Sequence, residues 1–135
     1  ARTNAARLNL ERLRAIAIAA AEQSERLTVP RMADPQRLSE LLAGWPEGRR
    51  LVVALERRDA APPMPADTPS ALLIGPEGGF APEEVEMLRR HAAVAIVTLG
   101  PLVLRAETAA IAGLALLQPA LRGYVAPAAR RPAAD

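Results

Sequence analysis

Glycine collects at two points where an apolar run stops. Residues 74–80 read IGPEGGF, and about twenty residues later residues 99–109 read LGPLVLRAETA. Each is a short apolar run that ends in a backbone-permissive turn and restarts as a helix. Two such strand–turn–helix corners side by side make a ligand pocket from main-chain atoms, which is how α/β proteins commonly hold a cofactor. Gly75, Gly78 and Gly79 allow positive φ and let the backbone approach a ligand closely. The turn lacks the GxGxxG spacing of dinucleotide sites and has no GK[ST] for a triphosphate, so hydride transfer and NTP hydrolysis lose their best sequence support. Alone, the first turn reads equally as a tight strand–helix connection without a ligand. The second corner favours the pocket.

Charged residues near these corners supply candidate chemistry. Glu77 lies inside the first turn. It is either simply solvated, or it shapes the pocket and receives a hydroxyl. Arg105 and Glu107 stand just before a helix expected to be buried. They read either as a structural ion pair, or as an arginine that meets an anionic backbone beside a carboxylate that polarises a substrate N–H. The Thr108 hydroxyl is a candidate helix cap. Gln23 and Arg26 lie at the end of the first helix, in AEQSERLTVP, where an arginine also suits the helix dipole. His91, the only histidine, follows Arg89 and Arg90 at a helix end that favours cations.

Composition narrows the chemistry further. At 135 residues the chain is one domain with room for a core, and half of it is hydrophobic but only 2% aromatic. The core must therefore be Leu, Val, Ile and Ala. One Trp, one Tyr and one Phe leave little for base stacking, which argues against an RNA-binding sheet that works by aromatic stacking. Without cysteine there is no disulfide, zinc ribbon or thiol catalysis. No apolar stretch approaches the ~20 residues of a membrane span and no secretory pattern is visible, so the chain reads as cytoplasmic, without a membrane partner. Net charge is +2 and every basic residue is arginine, whose planar fork binds phosphate bidentately.

The elements that must position these groups follow from periodicity. From Asn9 to about Ser24, Leu10, Leu13, Ile16, Ala17, Ala20 and Ala21 recur at helical spacing. Residues 27–30 are extended ahead of Pro30. Asp34-Pro35 reads as a helix start with Leu38, Leu41 and Leu42 on its apolar face and Gly44 as its stop. Residues 51–55 (LVVAL), 71–74 and 94–99 read as strands, and residues 60–69, with four prolines, as a loop. Pro82 opens a helix with Glu83, Glu84 and Glu86 in its early turns. Residues 108–118 form a helix apolar nearly all round, hence buried. Strands alternating with helices predict an α/β fold with a mainly parallel sheet and flanking helices, and ligands at the carboxyl ends of the strands.

Three strings, AEQSERLTVP, IGPEGGFAPEEVEML and LGPLVLRAETAAIAGLALLQ, occur in that order at a separation that closely resembles the RsmE-type 16S ribosomal RNA uridine-N3 methyltransferases of the SPOUT superfamily. The resemblance covers roughly residues 1–120. It implies a deep trefoil knot in the C-terminal part, bent S-adenosylmethionine as cofactor with no metal, a homodimer, and 16S rRNA or the small ribosomal subunit as partner. Leu55, Ile74, Gly75, Pro76, Glu77, Gly78, Gly79, Leu99, Gly100 and Leu104 are expected at the cofactor. Glu107, then Glu77, is the expected general base for uracil N3, with Arg105 and Arg26 stabilising charge that develops on the ring. Family members usually carry an N-terminal RNA-binding barrel and an opening strand–helix, and the resemblance implies that residues 1–135 begin after both. Residues 1–120 are thus expected to be a methyltransferase domain without its first strand–helix, and 121–135 a flexible tail. Leu102 stands where an arginine is usual, a lost contact worth on the order of 1.5–3 kcal/mol if that arginine touches RNA. Ala81 replaces a helix-capping Ser or Thr, at a cost of about 1 kcal/mol. The alternatives are another SPOUT RNA methyltransferase acting on transfer RNA ribose, or a catalytically dead remnant that only binds S-adenosylmethionine.

Overall fold

The computed structural model describes residues 9–55 and 70–118. The expected loop at 60–69 and the expected tail at 121–135 lie outside the described residues. The elements run α1 (Leu10–Gln23), α2 (Leu38–Ala43), β1 (Arg50–Ala54), β2 (Ser70–Ile74), α3 (Pro82–Arg90), β3 (Val94–Val97) and α4 (Ala106–Leu117). The strands form one parallel sheet in the order β2-β1-β3. In register, Val52 faces Leu72 on one side and Ala95 on the other.

The central position of β1 explains its composition. A parallel strand covered on both faces needs an unbroken apolar run rather than an alternating one. Leu51, Val52 and Val53 are accordingly almost wholly buried. Leu51 and Val53 point to one face, where they join Leu42 of α2 and Leu88 of α3 in the main core. Ala71, Leu73 and Val94, their register partners or next-strand neighbours, pack against the same cluster. Alternate residues point to the opposite face. There α4 packs on β2, and Gly113 lies so close that a Cβ would meet Leu72 Cδ2 at 2.7 Å. The sheet is thus sandwiched between α2 and α3 on one side and α4 on the other.

Local chemistry sets the helix ends. Asn9 Oδ1 accepts the Arg12 N–H at 2.9 Å and starts α1. The helix closes on a pair of back-bonds: Glu25 N–H to Glu22 O at 3.1 Å and Arg26 N–H to Ala21 O at 2.8 Å. This closure needs a left-handed residue, usually glycine, yet Glu25 occupies it at φ 55°. A side chain there costs roughly 1–2 kcal/mol. In α3, Pro82 is the first helical residue, and the Ala81 N–H donates to Glu84 Oε2 at 2.8 Å. Half of a capping box therefore survives without a hydroxyl at Ala81. His91 ties two layers together: the Ala93 N–H donates to its Nδ1 at 3.3 Å, so Nε2–H is the donor to Leu42 O at 3.1 Å.

Four expectations are corrected. Asp34-Pro35 does not start a helix; α2 begins at Leu38 with Arg37 as its N-cap, because Glu40 Oε2 accepts the Arg37 N–H at 3.3 Å and the apolar face begins only at Leu38. The last strand ends at Val97 rather than residue 99, since Thr98 Oγ1 bonds both the N–H and the carbonyl of Gly100 and turns the chain away. Thr108 is not a cap: α4 already starts at Ala106 with Arg105 as N-cap, which places Glu107 in its first turn. Nor is α4 buried all round. Ala109 and Gly113 face the sheet, but Ile111 is 72% and Leu114 54% exposed. The α1 stripe is likewise covered only in part, with Ala21 buried and Ile16 exposed. Among the described residues no helix is long and apolar enough to cross a membrane.

Leu88 is fully buried at the centre of the main core. Leu88→Ala is expected to lower the unfolding free energy by about 2–5 kcal/mol. Urea denaturation followed by circular dichroism measures this. A loss below 1 kcal/mol would contradict the packing described.

Candidate functional site

Because all three strands are parallel, their carboxyl ends lie together, and each runs into a connection at the same end of the sheet. The Leu55 N–H still donates to Val97 O at 3.2 Å, which holds the exits of β1 and β3 side by side. Past β2, residues 76–79 form a tight turn closed by Gly79 N–H to Pro76 O at 2.8 Å. Past β3, Thr98 pins the turn at Gly100.

The glycines here do different jobs. Gly79 (φ 72°) and Gly100 (φ 121°) adopt backbone that L side chains rarely enter, and a Cβ built on either would have no neighbour within 4 Å. Their backbone therefore faces open space that a ligand can occupy. Gly75 is required by close packing. A Cβ there would stand 2.8 Å from Cε2 of Phe80, whose ring packs on the main core. Phe80 thus props the first turn against the sheet.

Between the turns lies a cavity of about 530 Å³, within the usual size range for small-molecule sites. All ten positions expected at a cofactor line it, from Leu55 through the 74–79 turn to Leu99, Gly100 and Leu104. The candidate catalytic groups are less closely gathered. Glu77 lines the cavity and is exposed. Arg105 and Glu107 do not line it, but they flank Ala106, which does. Both are exposed, and among the described residues they form no ion pair with each other. Arg26 is exposed, directly after the strained Glu25, and is not part of the lining.

Sequence reasoning missed several lining residues. Phe80 follows the glycine pair and is the chain's single Phe, which was the available signal. Val85 and Arg89 are four apart on α3 and so share a face. A helical side chain leans toward the N-terminus, and this carries Arg89 back toward the cavity. Glu77 and Arg89 are the two charged residues of the lining. Leu102 and Val103 form an exposed apolar lip on the second corner.

The RNA methyltransferase domain family matches residues 1–118. Ribosomal RNA small subunit methyltransferase E of Rickettsia conorii is 33% identical over 115 residues, which cover 80% of this chain and 46% of the relative. The protein of the same name from Bacillus subtilis is 34% identical over 117 residues, covering 79% and 45%. A Legionella pneumophila methyltransferase solved in complex with the bound cofactor SAM superposes with a TM-score of 0.67 at 33% identity, over 87% of this chain and 52% of that one. The chain thus spans about half the length of these relatives.

Gly75→Ala is expected to cost about 1–3 kcal/mol by displacing the Phe80 ring. In a Phe80→Leu background the same change should cost markedly less, with a coupling of about 0.5–3 kcal/mol. Denaturant melts of the four proteins decide it: additive effects would mean that the ring does not hold this turn.

Proposed function

This chain belongs to the RNA methyltransferase domain family, and we propose that its cavity binds S-adenosylmethionine and that the protein containing this domain methylates uridine N3 in small-subunit ribosomal RNA. One observation carries the reading. Two glycine corners with open, positive-φ backbone close a cavity at the carboxyl ends of parallel strands, and every position expected at the cofactor lines it. The lining suits such a ligand, with apolar Leu55, Ile74 and Leu104 for an adenine ring and main-chain N–H and C=O groups to fix its polar edge.

When bound, S-adenosylmethionine supplies a methyl group already activated by its sulfonium charge. The protein's task is the nucleophile. Uracil N3 carries a weakly acidic proton, and a positioned carboxylate must accept it as the methyl is transferred. Glu107 is the first candidate for this base and Glu77 the second. Arg105 and Arg26 are the candidates to stabilise negative charge at the adjacent carbonyl oxygens. Holding N3 in line with the methyl contributes the proximity term. The uridine must leave its stack to enter, so a looped or single-stranded target is preferred.

The path of residues 98–105 supports the SPOUT knot. It carries the chain from β3, at one edge of the sheet, to α4, which packs on β2 at the other edge. We infer that this crossing is part of the knotted C-terminal region that the family resemblance implies. The exposed Ile111 and Leu114 of α4, with Ile16 of α1, support a homodimer that covers them. A cytoplasmic location follows from the proposed ribosomal substrate.

Calorimetric titration of the 135-residue chain with S-adenosylmethionine and S-adenosylhomocysteine tests the cavity. Micromolar binding is expected, and Gly79→Val should weaken it at least tenfold. No heat from a demonstrably folded chain would remove the cofactor assignment. In the full-length protein, Glu107→Gln should lower kcat by about 10²–10⁴-fold, as loss of a general base does. Nucleoside analysis of methylated small-subunit RNA provides the readout, and an unchanged rate would pass the role to Glu77.

A further inference from the structure

A second recess, of about 350 Å³, lies at the opposite end of the sheet. It sits where β1 and β3 begin, one strand length or ~15 Å from the glycine corners. Trp45, Arg49, Arg50 and His91 line it, with Glu47 as its single carboxylate. Nothing in the proposed methyl transfer uses these groups.

The recess is built in layers. The Trp45 indole packs on the main core. Its Nε1–H donates to the carbonyl of Arg49 at 2.7 Å, which fixes the ring plane. The Arg49 guanidinium then lies over that ring, 5.8 Å from its centroid, at the outer reach of a cation–π contact. Core, indole and guanidinium lie one beyond another, with a cation outermost. Arg50 follows at the start of β1, exposed. Among the described residues neither arginine forms an ion pair, with Glu47 or with any other carboxylate. By contrast, Arg90 nearby is engaged by Glu86 at 2.7 Å.

Ordinary surface arginines are mobile and solvated. Arg49 lies over the indole face, and among the described residues its planar fork has no carboxylate partner. A guanidinium plane accepts a stacked nucleobase, and a guanidinium fork accepts a phosphate. This needs no row of aromatic residues, and the single Trp lies beneath the guanidinium.

We infer that the Trp45–Arg49–Arg50 recess is a second contact for single-stranded RNA, remote from the methyl-transfer cavity, which takes backbone phosphates and one stacked base. The choice of RNA over another polyanion rests on the substrate class proposed above.

Trp45 is the only tryptophan in the chain, so its emission reports on this recess alone. Titration with a short oligouridine should quench it, more weakly as salt rises. Combined Arg49→Ala and Arg50→Ala should weaken binding at least tenfold. At about 0.7 per phosphate contact for single strands, it should also flatten the slope of log K against log salt by about 1.4. Arg49→Lys, which keeps the charge but not the plane, should fall between. Thermal melting checks that the variants fold. Unchanged oligouridine affinity in the double variant, no response of Trp45, or equal quenching by inorganic phosphate alone would each overturn the inference. Cofactor calorimetry on the same variants reads the other cavity separately. Intact cofactor binding with an unresponsive Trp45 would leave the methyl-transfer reading standing and remove only this one.

Discussion

Everything in this fold depends on the burial of one short strand. β1 is paired in parallel on both sides and covered on both faces, so its three central side chains, Leu51, Val52 and Val53, are almost completely removed from water. Burial on two faces satisfies its backbone only if both neighbours are present and in register. Parallel pairing then has a geometric consequence. All carboxyl ends meet at one end of the sheet and all amino ends at the other. The glycine corners and their cavity occupy the first end, and the tryptophan–arginine recess occupies the second. The separation of the two features is a property of strand direction before it is a property of any side chain.

Much of this was legible because it is local. The LVVAL run announced a strand, Pro82 with Glu83 and Glu84 announced a helix start, and the two glycine corners marked the lining positions that the structure gathers around one cavity. What failed was non-local or depended on phase. The spacing of α4 was correct for a helix, but an apolar helix does not reveal which side the sheet will take. The sheet covers Ala109 and Gly113 and leaves Ile111 outside. The start of α2 was misplaced because a proline after an aspartate is a common opening, whereas here a glutamate three residues beyond Arg37 sets the cap. Arg89 could not be placed in the cavity without knowing which face of α3 turns toward the corners.

The glycines illustrate how a residue type can be read correctly and its reason missed. By residue type, Gly75, Gly78 and Gly79 alike allow positive φ. It is found at Gly79, whereas Gly75 is glycine because an aromatic ring leaves no room for a methyl group. Glu25 is the converse case, a residue with a side chain in a conformation that glycine would adopt more easily. It sits immediately before Arg26, so backbone strain and a candidate functional arginine are adjacent in the chain.

The register of the sheet also fixes an order of events during synthesis. Arg50 pairs with Ser70, about twenty residues later, and Leu51 pairs with Val94, some forty residues later. Neither partner is local, which favours slow folding. At ~5–20 residues per second on the ribosome, the most buried of the described strands waits roughly two to nine seconds for its second neighbour. For that interval its backbone edge and its Leu51, Val52 and Val53 side chains lack their native cover. A nascent chain of this design therefore passes through a stage in which an unpaired apolar strand is exposed to aggregation.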